Sequence, residues 1–492
     1  MTRTLPPSSW ASPSSFGSTL SRPTGPDRAS NWIIGLSVIG TVLCAVAAAF
    51  QPIVAYGLLG VMVVGVLMTT AALYPTFGTY LYVITMPFLS GVDRGQPIPL
   101  LRPNEAVLAV VMAGACIGVY LRFLRGDDIR PKFYPQVDVP LAVFLLASTI
   151  WPITSLMLRG QLPEPTDLAA ILPVIKLVGI YFMVRYTVTS EQQSIVLIRL
   201  MVWPGAVVAL IAILQTLKFG PVLYLVQTVW GGGGDTSQTA LSDSAERGSA
   251  SLGSPIAAGD VIIICLLLVF CCVARGLLHR QERLILAMVL GTGVLAAGQF
   301  STWIAALVGF ALLAWRYPDL RRQATRFAPL AGVAMVVGAP AFLGRLDSIG
   351  QYGAPVPESW LGRYDNLRYL FIPHFNWVTT LIGVSPNDVL IPPERWREVV
   401  YLESGVLDFL WVGGVPLLAA FIWLSVRVLR TVRPAIRHPG AFGACASSLE
   451  IVWLFVLVLT LIDPHLEQRG SGDLIFTLLA ITVGGIDARR RT

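Results

Sequence analysis

Hydrophobic residues fall along this chain in blocks of about 17 to 24, separated by short polar stretches. A block of that length spans a hydrocarbon core as a helix, and a chain in lipid must satisfy its own backbone hydrogen bonds. Short segments with period-two alternation are absent, which argues against a barrel. The pattern therefore predicts an all-α, polytopic membrane helical bundle of about 14 transmembrane helices. The expected spans are 32–50, 52–72, 74–90, 104–121, 139–157, 168–186, 194–217, 256–274, 284–299, 302–315, 327–343, 404–426, 447–463 and 473–486. Almost nothing separates 284–299 from 302–315.

Composition agrees: 55% of residues are hydrophobic and 13% charged, where a soluble domain carries about 25% charged residues. Residues 1–31 are rich in Ser, Pro and Thr with no apolar run, and read as a disordered cytoplasmic tail rather than a cleaved signal peptide. Residues 32–486 form one transmembrane domain, and 487–492 a basic cytoplasmic tail. All six cysteines lie in or beside apolar blocks, which excludes a disulfide-stapled outer domain and gives no metal-ligand spacing.

The placement of charge sets the orientation. The net charge of +7 resides in short, arginine-rich loops, such as Arg122, Arg125 and Arg130, or Arg427, Arg430, Arg433 and Arg437. All lie on one side of the predicted membrane, which is the positive-inside signature. Both termini are expected in the cytoplasm, and the basic balance is met by membrane lipids rather than nucleic acid. The longer outer loops are 218–255 and 344–403, with a short one at 464–472.

Three segments carry polar residues that need a reason. Arg247-Gly248-Ser249-Ala250-Ser251 runs into a span after a glycine run. Its small residues could leave backbone N–H groups open to an anion that Arg247 clamps, although an interfacial arginine reaching to headgroups fits equally well. In Gly362-Arg363-Tyr364-Asp365-Asn366-Leu367-Arg368, helical spacing puts Arg363, Asn366 and Leu367 on one face and Arg368 further round. The plainer account is a folded loop with ion pairs, such as Arg363 with its Asp365 neighbour. In Tyr401-Leu402-Glu403-Ser404-Gly405, a carboxylate sits at the mouth of a span, with Asp408 a turn inside. Buried acids need a cavity or a partner, whereas Glu403 could equally serve as a helix cap. Lys176, Asp260, Glu450 and Glu105 are further polar groups in or at the edge of spans, with partners unspecified. Asp463, His465, Glu467 and Arg469 crowd the last outer loop.

These segments, in this order, resemble the O-antigen ligase and O-antigen polymerase superfamily of bacterial membrane glycosyltransferases over roughly residues 240–430. The likeness rests on Arg247 before a mid-chain span, Ser301-Thr302 in a later one, and Arg363 and the Ile382-Gly383-Val384 turn in a long outer loop. It ends on Glu403-Ser404 followed by Leu407, Leu410 and Gly414. Ligases of the family carry histidine where this chain has Glu403, and the glycine turn is half present, so a polymerase-like or divergent member fits better. The resemblance implies a polyprenyl-diphosphate-linked glycan donor and a sugar-hydroxyl acceptor, joined with inversion and without cofactor or metal. Arg247 and Arg363, with Arg368 in reserve, would steady the diphosphate. Glu403 would be the general base, with Asp408 and His465 as further substrate-binding residues. Other readings remain open: a transporter or flippase of a lipid-linked substrate, a metal-using polyprenyl-phosphate-sugar glycosyltransferase, or a membrane scaffold.

Overall fold

The computed structural model describes residues 52–94, 101–126, 132–231, 247–316, 358–390 and 400–491, together with five isolated positions. The chain divides into two compact units, residues 1–66 and 67–492. In the first, the described residues are chiefly those opening α1 (Pro52–Leu73).

The described residues of the second unit are predominantly helical. In order come α2 (Pro75–Leu89), α3 (Pro103–Leu124), α4 (Pro135–Ser148), α5 (Ile150–Leu158), α6 (Pro165–Ala170), α7 (Leu172–Thr187), α8 (Glu191–Thr216) and α9 (Gly220–Val229). Then follow α10 (Pro255–Val273), α11 (Arg280–Ala296), α12 (Phe300–Arg316), α13 (Glu358–Asn366), α14 (Trp377–Ile382), α15 (Gly405–Ala435), α16 (Gly440–Leu459) and α17 (Ser471–Arg491). Among the described residues the only sheet is an antiparallel pair, β1 (Val389–Leu390) with β2 (Val400–Tyr401).

Local chemistry sets the helix starts. Proline opens α1, α2, α3, α4, α6 and α10, where its missing N–H costs nothing. At α8, Ser190 Oγ accepts from the Gln193 N–H (3.2 Å) while the Gln193 side chain accepts from the Ser190 N–H (3.1 Å), a capping box. Glycines then let neighbours close. A Cβ on Gly114 or Gly118 would come within 2.3 or 2.2 Å of the Met68 or Ala72 carbonyl oxygen. Small residues at helix interfaces serve the same purpose in lipid, where no hydrophobic force drives helices together.

Eight helical stretches among the described residues are long and apolar enough to cross a membrane: 103–124, 135–158, 165–187, 191–216, 255–273, 405–435, 440–459 and 471–489. They coincide with eight of the expected spans. α10 is buried along nearly its whole length and packs on α8, α11, α16 and α17. The outward side of α3 instead shows Ile117, Tyr120, Phe123 and Leu124, as a lipid-facing surface requires. α1 and α12 give shorter apolar stretches, Gly57–Leu73 and Phe300–Arg316, and α2 and α11 have 15 and 17 residues. The expected spans 32–50 and 327–343 lie outside the described residues.

The ion pairs name the partners that sequence left open. Lys176 Nζ meets Asp473 Oδ1 at 2.6 Å and Arg94 meets Glu105 at 2.8 Å. Glu450 lies 3.9 Å from Arg433 and 4.0 Å from Arg316. Four of the cysteines are buried as free thiols and Cys116 is exposed, so they pack rather than bridge.

Candidate functional site

The site is built where the ends of α13, α15 and α16 converge. α13 carries Arg363 and Asn366, and a π-type turn, Leu367–Phe371, continues it. Such turns insert a residue into the helical register and recur at functional sites. β2 then delivers Tyr401, Leu402 and Glu403 to the start of α15, with Ser404 as the residue before its first turn.

α15 is broken in its interior, and the break is what anchors the preceding loop. Gly414 has φ 65° and ψ −157°, and Pro416 follows it. Gly383, at the end of α14, has φ 96° and ψ 157°. Both lie in a region that only glycine adopts readily. A Cβ on Gly414 would sit 2.4 Å from the Leu381 carbonyl oxygen, and one on Gly383 would sit 2.6 Å from that of Val412. Carbonyls that the broken helix leaves over find donors: the Val384 and Ser385 N–H groups donate to Trp411 (2.6 and 3.2 Å), and the Trp151 indole donates to Gly413 (3.1 Å). Arg159 donates to the Val384 carbonyl (2.5 Å) and the Trp411 indole to that of Asn387 (2.9 Å). Irregular backbone at this depth requires such satisfaction.

Over this anchor lies a cavity of about 260 Å³, walled by Arg363, Tyr364, Asn366, Leu367, Phe371 and residues 401–404, and closed by Leu461 and Ile462. Arg363 Nε meets Glu403 Oε2 at 2.7 Å, and Arg363 Nη1 meets Asp463 Oδ2 at 3.1 Å. The expected partner Asp365 is exposed, and the guanidinium turns instead to two acids distant in sequence. Behind Asp463, the His465 N–H donates to the Asp463 carbonyl (2.8 Å), and His465 Nδ1 lies 2.7 Å from Asp260 Oδ2, with both side chains fully buried. A chain of charges thus runs from the cavity wall to α10: Glu403, Arg363, Asp463, His465, Asp260.

Burial pushes the Asp463 carboxyl above the ordinary range, against the downward pull of Arg363 and His465. Burial alone would lower His465, but the charge and hydrogen bond of Asp260 together with the Asp463 charge outweigh it, and the imidazole is shifted upward. A second acidic group lies nearby. Burial, then the Asp388 carboxylate, pushes Glu467 up to about 7, and burial raises Asp388.

No protein-family model and no curated protein matches the chain.

Of the residues singled out in sequence, the fold brings Arg363 and Glu403 together, and places Asn366 and Leu367 beside them as helical spacing anticipated. Arg247, Arg368, Asp408 and His465 are not among the cavity's lining residues. Arg368 is exposed, its guanidinium 5.4 Å over the Tyr369 ring. Asp408 is buried one turn into α15, within electrostatic reach of Asp388 and Glu467. Arg247 is half-buried at the head of a segment whose next residues are engaged internally. The Gly248 N–H donates to Ala296 and the Ala250 N–H to the Gln215 side chain (both 3.0 Å), and the Ser251 hydroxyl donates to Pro87 (2.9 Å). The backbone donors expected to stay open at Gly248 and Ala250 are thus consumed by packing.

Sequence reasoning missed Asp463 as the second partner of Arg363, and Asp260 as the partner of His465. The available signal was general: an acid inside an otherwise apolar span must find a partner, and the 463–469 loop was the crowded polar segment. Among the described residues, no group of three or more His, Cys, Asp or Glu side chains is placed to hold a metal ion.

Proposed function

We propose that this chain is a membrane glycosyltransferase, a polymerase or ligase. It would move a glycan from a polyprenyl-diphosphate donor to a sugar hydroxyl at the extracytoplasmic face of a bacterial inner membrane. The observation that carries this reading is the Arg363–Glu403 pair in one cavity wall. A diphosphate leaving group needs a fixed cation, and an attacking hydroxyl needs a base within hydrogen-bond reach.

In the reaction, the anomeric carbon–oxygen bond to the diphosphate breaks and its electron pair stays on the phosphate, beside Arg363. The acceptor hydroxyl oxygen forms the new bond from the opposite side, inverting the centre, and its proton passes to Glu403. At rest Arg363 neutralises Glu403. An incoming diphosphate competes for the guanidinium and releases the carboxylate to act as base, so the base is freed when the donor is in place. The 25% exposure of the Arg363 side chain leaves it reachable for that exchange. The orientation rests on charge. Arg275, Arg280, Arg283 and Arg437 flank the ends of α10, α11 and α15 away from the cavity, on the side that the positive-inside rule assigns to the cytoplasm.

A second reading, a transporter or flippase of an amphipathic substrate, draws on the buried Lys176–Asp473 pair, to which Tyr82 also donates (3.4 Å). Ionisable groups inside a membrane often mark a substrate or proton path. Purified protein in proteoliposomes, given a polyprenyl-diphosphate oligosaccharide, separates the two. Lengthened or transferred glycan, formed also in EDTA, is the expected result. Donor that changes leaflet without any new glycosidic bond would overturn the enzyme reading in favour of transport.

A further inference from the structure

We propose that the cavity beside Arg363 is a seat for a single sugar ring, with Asn366 reading a ring hydroxyl and Tyr364 and Tyr401 supplying the faces on which the ring lies. This rests on the glycan reading above and names the part of the substrate that the cavity takes.

The first observation is an orphaned polar atom. Asn366 is only 4% exposed, lines the cavity, and its Oδ1 is buried without a hydrogen-bond partner. An unsatisfied buried amide oxygen carries its full desolvation penalty, so native proteins keep few of them without reason. A sugar hydroxyl both donates and accepts, so it completes the amide whichever end faces it. Neighbouring groups do not take up the oxygen. Arg363, one helical turn earlier, is spent on Glu403 and Asp463.

The remaining wall has the mixed character that a pyranose presents. Its two faces are C–H surfaces and its rim is a belt of hydroxyls, so it needs flat apolar groups above or below and convergent polar groups at the edge. Tyr364 and Tyr401 line the cavity and are 58% and 59% exposed, so their rings are open to a ligand. Phe371 and Leu402 close the back, and Asn366 and Glu403 supply the rim. The volume, about 260 Å³, equals about nine waters at liquid density, which suits one ring rather than an oligosaccharide. A diphosphate by itself would want more cations than Arg363, and an acyl chain would leave the Asn366 amide oxygen unmet. A ring seated here holds its hydroxyl belt against Glu403 and its substituent oxygen toward Arg363.

The test uses purified full-length protein in nanodiscs and the methyl glycosides of glucose, galactose, N-acetylglucosamine and rhamnose as probes, read by saturation-transfer difference NMR. Glycerol 3-phosphate serves as the headgroup probe. At least one glycoside is expected to give saturable transfer in wild type, weakened about tenfold or more in Asn366→Leu, a near-isosteric change. The same loss is expected in Tyr401→Ala but not Tyr401→Phe, so the seat stays testable if one variant folds poorly. Glu403→Gln should keep most of the binding. Silence from every glycoside, binding as strong as that of wild type in both Asn366→Leu and Tyr401→Ala, or signal from glycerol 3-phosphate alone would overturn the seat. Glycoside binding without any glycan transfer would sink the enzyme reading and leave the seat standing. Transfer whose KM is unmoved by Asn366→Leu would do the reverse.

Discussion

Replacing Arg363 by methionine keeps the length of the side chain and removes the one guanidinium that two acids share. The cost divides unequally between them. Glu403 is 33% exposed, so water replaces much of what it loses, and that half contributes about 0.2–1 kcal/mol. Asp463 is 5% exposed and would be left as a buried carboxylate without its cation. Breaking a fully buried pair costs about 3–5 kcal/mol. Because Arg363 itself is 25% exposed, that figure falls here to about 2–3 kcal/mol. Unfolding of the purified variants in mixed micelles, followed by tryptophan fluorescence, can apportion the loss by double-mutant cycles. The Arg363–Asp463 coupling should exceed the Arg363–Glu403 coupling by about 1–2 kcal/mol.

The pH dependence gives a second handle. Asp463 already titrates above the ordinary carboxylate range because of burial, while Arg363 and His465 hold it down; Asp260, on α10, is the other charge that faces it. Losing Arg363 raises Asp463 further. An acid whose folded pKa is raised is destabilising once the pH passes its unfolded pKa, about 3.9, and increasingly so up to the folded pKa. The stability gap between Arg363→Met and wild type should therefore widen once the pH passes the raised wild-type Asp463 pKa and until it reaches the still higher one of the variant, and Asp463→Asn in the same background should abolish the widening. A gap that stays flat with pH, or equal coupling to both acids, would refute this reasoning.

Gly414→Ala should lower stability by about 3 kcal/mol or more, from glycine-only backbone angles and the overlap of its Cβ with the Leu381 carbonyl; near wild-type unfolding would show that the break in α15 tolerates a side chain. Glu467→Gln should remove a loss of stability that wild type suffers as pH rises from about 4.5 to about 7, of order 1–3 kcal/mol. Parallel stability–pH curves for the two proteins would contradict that shift. With the exposed Cys116 replaced, a cysteine at Asp365 should label from outside intact cells and one at Arg437 should not. The opposite pattern would invert the membrane orientation.

Eight of the expected spans were legible because hydropathy is a local property. Each apolar block declares itself whatever it packs against, and the α13 face holding Arg363, Asn366 and Leu367 followed from helical spacing alone. What escaped was pairing at long range. Arg363 with Asp463 and Asp260 with His465 lie 100 and 205 residues apart, and nothing near Asp260 in sequence states which loop will cover it. The Arg247 segment shows the opposite failure. Its glycine and small residues looked like open backbone, yet smallness there serves close packing: a Cβ on Gly248 would meet the Ala212 Cβ at 2.7 Å. The same composition supports either outcome, and tertiary contacts chose. The π-type turn after Asn366 likewise has no sequence signal of its own, since Leu367-Arg368-Tyr369-Leu370 would equally continue an α-helix.

The central claim is that Glu403 takes the proton from the attacking hydroxyl. Single-turnover glycan transfer by Glu403→Gln, in proteoliposomes loaded with a polyprenyl-diphosphate oligosaccharide and normalised to folded protein, tests it most directly. The account predicts donor binding near that of wild type, a transfer rate lower by about 10² to 10⁴, and partial activity in Glu403→Asp. Transfer by Glu403→Gln at close to the wild-type rate would contradict it.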